Sequence, residues 1–223
     1  MKVAVLQFPG TNCEFDAKYA FSKLGCDVEV IWHKDGKLPD NTDLVVVPGG
    51  FSYGDYLRSG AIARFANIME DVKKFASNGG KVLGICNGFQ ILLEAGLLPG
   101  AMKRNDTLHF ISKYHTLKVI DNNNEFLRLL NVGDVVNIPV AHHDGNYYID
   151  EVGLKELEAN NQILLKYCTK DGEVTNMNGS VSNIAGICNK ERNVFGLMPH
   201  PERAIEEILG STDGVNMLKG LLK

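Results

Sequence analysis

The sequence predicts an α/β fold: an open, mostly parallel twisted sheet with helices on both faces, plus a small antiparallel β portion in the second half. Three observations carry this. Over the first 95 residues, short apolar runs alternate with segments of helical periodicity, the rhythm of a parallel sheet. Several of those runs stop at glycine-rich turns, at Pro9-Gly10, Pro48-Gly49-Gly50 and Gly84-Ile85-Cys86-Asn87-Gly88. Further on, β-type runs sit on either side of turns rich in asparagine, aspartate and glycine, as antiparallel strands require.

In order, Val3 to Phe8 fits a buried first strand. Thr11-Asn12-Cys13-Glu14 fits a capping box, with Thr11 as N-cap and Glu14 three residues later. Phe15, Tyr19, Ala20 and Leu24 then fall at helical spacing until Gly25. Val28 to Trp32 is a second strand and Leu44 to Val47 a third. A helix from Ala61 to Ser77 ends at Asn78-Gly79-Gly80. Lys81 to Cys86 is a fourth strand, followed by a helix from Asn87 to Ala95. Tyr114 to Ile120, Val135 to Val140 and Tyr147 to Asp150 read as strands around turns at 121–124 and 144–146. Ile184 to Cys188 and Val194 to Met198 are two more, and Gly214 to Leu222 is a last helix.

At 223 residues, one domain spanning 1–223 is expected. A core of that size buries roughly 70% or more of the unfolded chain's surface. The net charge of −4 offers no general attraction for nucleic acid or an anionic membrane. No apolar run approaches the ~20 residues of a membrane span. The N-terminal apolar stretch, stopped by Gln7 and Pro9, is too short for a signal peptide. A cytoplasmic protein is expected. Five cysteines, with no C-x-x-C pair, argue against a disulfide framework or a zinc site.

The strongest local signal is the G-x-C-x-G of residues 84–88, between an apolar strand and a helix. It is the thiol form of a nucleophile elbow. A sharp strand-to-helix turn crowds the backbone, so the residues flanking the nucleophile lack side chains. The helix N-terminus there favours a thiolate. The alternative is that Gly84 and Gly88 only allow tight packing around an inert buried thiol. Cys13, Cys26, Cys168 and Cys188 lack such a setting and read as packing residues.

A nucleophilic thiol needs a base. His200, in Met198-Pro199-His200-Pro201-Glu202-Arg203, follows a strand and is flanked by prolines. Glu202 is placed to orient the imidazole through one nitrogen while the other faces Cys86. Alone, H-P-E is a solvated turn as readily as a site. Beside a cysteine elbow it becomes a base and its orienter. Pro48-Gly49-Gly50-Phe51 follows a parallel strand, where exposed backbone N–H groups suit an oxyanion hole; a flexible loop is the other reading. His142 and His143 point to opposite faces of a strand, so no shared metal is expected. His142 is left between a ligand contact and a solvated loop. No nucleotide fingerprint is present.

These elements occur in fixed order: P-G-G at 48–50, G-I-C-N-G-F-Q at 84–90 and M-P-H-P-E-R at 198–203. Together they resemble the triad, or class I, glutamine amidotransferases. More narrowly, the chain resembles the free-standing glutaminase subunits that serve an ATP-dependent carbon–nitrogen ligase of purine synthesis. The carrying segments are Gln7 to Glu14, Gly49 to Asp55, Arg104-Asn105-Asp106, Asn178-Gly179-Ser180 and Gly210 to Gly214, so the resemblance runs from end to end.

The resemblance implies a flavodoxin-like sheet in which Cys86 attacks the side-chain amide of glutamine. His200 carries the proton and Glu202 orients His200. The N–H groups of Gly50 and Asn87 stabilise the oxyanion, and Gln90 with Phe51 shapes the glutamine pocket. It also implies a separate synthetase subunit, where ATP and Mg act, and a small accessory subunit. No cofactor or metal is expected in this chain, and no nucleic-acid or membrane partner. One segment departs from the family's usual A-H-G-E-G-x-Y. Here it is Ala141-His142-His143-Asp144-Gly145-Asn146-Tyr147, with His143 in place of the glycine and Asp144 in place of the glutamate. A peptidase-like member of the same fold and a non-catalytic flavodoxin-like binding protein remain as alternatives.

Overall fold

The structure is a computed structural model that describes residues 1–222. The first half supplies strands β1 (Lys2–Gln7), β2 (Asp27–Trp32), β3 (Leu44–Val47) and β4 (Lys81–Ile85). Helices α1 (Glu14–Lys23), α2 (Asn67–Ser77) and α3 (Asn87–Glu94) accompany them. The second half adds β5 (Ala101–Lys103), β6 (Ile111–Val119), β7 (Val135–His142), β8 (Asn146–Tyr148) and α4 (Glu151–Ala159). It ends with β9 (Ile163–Cys168), β10 (Ile184–Cys188), β11 (Val194–Leu197) and α5 (Gly214–Gly220).

Nine strands form one sheet in the order β2-β1-β3-β4-β11-β10-β9-β6-β7. The five from β2 to β11 are parallel. The other four continue the sheet antiparallel. Strands β5 and β8 pair separately as a small antiparallel ribbon. The α/β expectation therefore holds, with the antiparallel half larger than the sequence indicated.

Burial explains the parallel half. Leu44 to Val47 and Val3 to Leu6 are at most 1% exposed, as strands covered on both faces must be. The β1-to-β2 and β3-to-β4 crossovers run in opposite directions along the sheet. With right-handed connections this puts α1 and α2 on opposite faces.

Several elements differ from the sequence reading. Thr11 does not cap α1: its hydroxyl accepts the Phe8 N–H at 3.0 Å, and the helix starts at Glu14 behind Cys13. The reason is tertiary, because the Asn12 and Cys13 N–H groups donate to the Gly49 carbonyl at 3.4 and 3.2 Å. The helix expected over 61–77 is broken. A 3₁₀ turn at Ala63–Phe65 ends at Ala66, whose extended backbone restarts the chain as α2. Asp150 ends no strand but caps α4, accepting the Gly153 N–H at 2.7 Å. Strands β5 and β9 and helix α4 have no counterpart in the sequence reading.

Candidate active site

The site lies beyond the carboxyl ends of the parallel strands. Cys86 follows β4 directly and precedes α3. Its backbone is at φ 51° and ψ −109°, a conformation a residue with a side chain adopts only when held there. Two hydrogen bonds hold it: Cys86 N–H to the Leu197 carbonyl at 2.8 Å, and Gln90 N–H to the Cys86 carbonyl at 3.1 Å. Gly88 completes the elbow. A Cβ there would stand 1.7 Å from the Val47 carbonyl oxygen, so only glycine lets α3 approach β3 this closely.

Strand β11 lies parallel to β4 with Leu197 opposite Ile85. The chains leaving both strands therefore emerge side by side, which brings His200 to Cys86 across a long stretch of sequence. His200 and Glu202 are each 2% exposed. The Nδ1–H of His200 donates to Glu202 Oε1 at 2.7 Å. The other nitrogen, Nε2, is buried beside the Cys86 and Cys13 thiols with no well-aligned hydrogen bond. Burial by itself pushes the His200 pKa down, but the Glu202 carboxylate and then Cys86 outweigh it. The imidazole is held well above its ordinary range.

The sequence reading placed Cys13 among the packing thiols, and the structure corrects this. Cys13 sits against the triad, accepting from Arg203 Nη2 at 3.1 Å and donating to Asn12 Oδ1 at 3.0 Å. Burial raises its pKa, so it is a neutral thiol. Among the described residues, the donor atoms of Cys13, His200 and Glu202 lie within 4.8 Å of one another, close enough to converge on a cation. The His200–Glu202 hydrogen bond and the Arg203 guanidinium already occupy those donors.

A cavity of about 450 Å³ opens in front of Cys86 and includes Gly50, Phe51 and Gln90. A smaller recess of about 210 Å³ joins Cys86 to His200 and Cys13. Asn87 is buried beneath and organises the wall. Its Oδ1 accepts the Ser52 N–H at 3.0 Å, and its Nδ2 donates to Gln90 Oε1 at 2.8 Å. Gln90 Nε2 donates in turn to the Asp144 carbonyl at 2.6 Å. All seven residues singled out in the sequence, namely Gly50, Phe51, Cys86, Asn87, Gln90, His200 and Glu202, are thus gathered in one place.

Residues 141–144 of the departing segment form a wall of the same cavity. Cys86 Sγ lies 3.6 Å from the Ala141 carbonyl, and the His200 N–H donates to the Pro139 carbonyl at 2.8 Å, so the end of β7 curls back over the site. Asn105 fixes this loop. Its Nδ2 donates to the His109 and His142 carbonyls at 2.9 and 3.0 Å, and its Oδ1 accepts the Gly145 N–H at 3.0 Å and His142 Nδ1–H at 3.1 Å. Asn178 Nδ2 and Ser180 Oγ donate to the Gly145 carbonyl at 2.7 and 3.2 Å. The segments around Asn105 and Asn178, which stood out only by resemblance, thus have a structural reason. Burial, and then the charge of His200, pushes the His142 pKa down to about 4.

A strained thiol beside a buried imidazole–carboxylate pair, on the edge of a parallel sheet, is the arrangement expected of the triad glutamine amidotransferases. The chain belongs to the CobB/CobQ-like glutamine amidotransferase domain family, whose model matches residues 1–215. It is 68% identical, over the full length of both chains, to a Sulfurimonas denitrificans protein named phosphoribosylformylglycinamidine synthase subunit PurQ. It is 55% identical to the protein of that name from Campylobacter jejuni, covering all of this chain and 96% of that one. Among solved structures, the Thermotoga maritima PurLQS structure matches with a TM-score of 0.89 at 41% identity, covering 99% of this chain and 97% of that chain. Among the described residues, no helix is long and apolar enough to cross a membrane.

Proposed function

We propose that this chain is the glutaminase subunit of a phosphoribosylformylglycinamidine synthase. It hydrolyses glutamine to glutamate and ammonia. The ammonia serves a synthetase subunit, which uses ATP to convert formylglycinamide ribonucleotide to the amidine in purine synthesis. The observation that carries the reading is the buried His200, bonded to Glu202 at 2.7 Å and facing a cysteine in a strained elbow.

In this reading the Cys86 thiolate attacks the glutamine amide carbon, and the N–H groups of Gly50 and Asn87 take the oxyanion. Asn87 opens α3, so its N–H has no carbonyl of its own helix to bind. His200, kept charged by Glu202, gives its proton to the leaving ammonia and leaves a thioester on Cys86. It then takes a proton from water, whose attack releases glutamate and restores the Cys86 thiolate. Gln90 and Phe51 shape the pocket. The chain supplies no cofactor or metal to this half-reaction, and ATP and Mg belong to the synthetase subunit. A small accessory subunit completes the complex, as the three letters of the related PurLQS assembly suggest. The complex works in the cytoplasm.

Cys86→Ser tests the reading. In the reconstituted complex it is expected to abolish glutamine-dependent amidine formation and to leave ammonia-dependent formation intact. Loss of both in a variant that still assembles would count against it. Cleavage of polypeptides by the isolated chain would favour the peptidase reading instead.

A further inference from the structure

The cavity in front of Cys86 has an acidic end that the triad does not use. Asp55 and Asp144 both line it. Asp55 Oδ1 lies 3.4 Å from Asn87 Nδ2, and Asn87 is the residue after the nucleophile. Ser59 sits between the two acids, donating to Asp144 Oδ2 at 3.0 Å. Nearby cations face carboxylates other than Asp55. Arg58 makes a two-pronged contact with Glu94 at 2.7 and 2.8 Å, and Arg64 also faces Glu94. His143 and Arg104 lie against Asp144 Oδ1, at 3.0 and 4.0 Å. Among the described residues, Asp55 has no ion pair. Burial and then the Asp144 charge push its carboxyl up to about 6, the mark of an anion lacking a counter-charge.

A second observation points the same way. His142 lines this cavity and is 3% exposed. Asn105 accepts its Nδ1–H, which leaves Nε2 as a lone-pair acceptor, buried and without a partner. The cavity therefore holds the nucleophile together with a carboxylate, Asp55, that has no cation of its own, and an unpartnered imidazole nitrogen on His142. Glutamine carries a cation at the end away from its amide. With its amide carbon on Cys86 Sγ, its α-ammonium lies four bonds away, about 5 Å along the chain.

We propose that Asp55, with Asp144 beside it, reads the α-ammonium of the substrate. The site then takes α-amino acids bearing a γ-amide and rejects the same amide without the amine. The assignment rests on the glutaminase reading above and adds a specificity determinant to it. The ammonium supplies the cation that Asp55 lacks, and this interaction is lost when Asp55 is protonated.

The test compares glutamine with 4-carbamoylbutanoate, which is glutamine lacking the amine, in the reconstituted complex. A charged hydrogen bond of this kind corresponds to about 10–100-fold in kcat/KM. The natural protein is expected to prefer glutamine by at least that much. Asp55→Asn is expected to lower kcat/KM for glutamine about 10–100-fold more than for the des-amino amide, chiefly through KM. Asp144→Asn, the second variant, should move the same ratio less. The kcat/KM profile for glutamine should fall as pH drops through about 6, and the profile for the des-amino amide should not. Equal losses on both substrates in folded Asp55→Asn, or no preference in the natural protein, would overturn the assignment. Glutamine left intact by the natural complex would overturn the glutaminase reading itself, a different outcome.

Discussion

Gly49→Ala puts one methyl group among the reacting side chains and leaves their chemistry unchanged. A Cβ at Gly49 would lie 2.8 Å from His200 Cε1, 3.0 Å from Cys13 Sγ and 3.4 Å from Cys86 Cβ. Carbon atoms settle at about 3.5–4.0 Å, so the imidazole must retreat by about 1 Å. It has little room to do so, being 2% exposed and bonded to Glu202 at 2.7 Å. Overpacking of this kind costs about 1–3 kcal/mol of stability. A 1 Å misplacement of a reacting group costs about 10²-fold in rate. The assay is amidine formation by the reconstituted complex, with glutamine and separately with ammonia, alongside urea unfolding of the chain. The expected result is a fall of about 10²-fold with glutamine and none with ammonia. Gly79→Ala is the control, because no atom lies within 4 Å of its Cβ position, and Gly79, unlike Gly49, has a positive φ. It should cost stability by backbone strain and leave the rate alone. A folded Gly49→Ala with glutamine-dependent turnover within about 3-fold of the natural rate would refute the placement of His200 and Cys86 as one reacting unit.

Three further outcomes are expected. Glu202→Gln removes the main support for the charged imidazole. Burial then pushes the His200 pKa down, so the alkaline limb of the glutaminase profile moves to lower pH and kcat falls about 10²–10⁴-fold, read from stopped assays across pH. Asp55 titrates near 6 in the folded chain and near 3.8 unfolded, so its charge opposes folding above that window and not below it. Asp55→Asn should therefore stabilise the free chain by about 1–2 kcal/mol at pH 7, after discounting for partial exposure, with no gain below pH 3.8; urea titrations at the two pH values decide this. Asn105→Ala strips four hydrogen bonds from a fully buried position and should cost about 3–5 kcal/mol, measured by urea or thermal unfolding.

The parallel strands were legible because burial on both faces leaves a continuous apolar run, as in Leu44-Val45-Val46-Val47. The elbow was legible because the crowding at Gly88 permits no side chain. What could not be read depends on contacts distant in sequence. Thr11 looks like a cap until the Gly49 carbonyl takes the N–H groups of Asn12 and Cys13. Cys13 has no local mark at all, since its setting is made by His200 and Arg203. His142 was left open between ligand and solvent because its tautomer is fixed by Asn105, 37 residues away. Other omissions had a signal. Ile163-Leu164-Leu165-Lys166-Tyr167-Cys168 is an apolar run after Asn160-Asn161, and it forms β9.

The two halves of the sheet divide the work of the site. Cys13 lies beyond β1, Gly49 and Gly50 beyond β3, Cys86 beyond β4, and His200 beyond β11. These four strands are consecutive neighbours and all parallel, so their carboxyl ends share one edge. That edge is the crevice where open α/β sheets place their ligands. A parallel neighbour for β4 need not be close in sequence, and here β11 is brought in after the whole antiparallel excursion of β6 to β10. The excursion also supplies β7, whose end at Ala141 and His142 closes the cavity over Cys86. Charge is divided between strand ends and loops. The strand ends carry the buried His200–Glu202 pair, while the 51–59 and 141–147 loops carry Asp55 and Asp144 at the cavity. The reacting atoms are therefore held by backbone that cannot shift without breaking the sheet. The loops that make up the rest of the cavity are held by side-chain bonds such as those of Asn105 and Asn87.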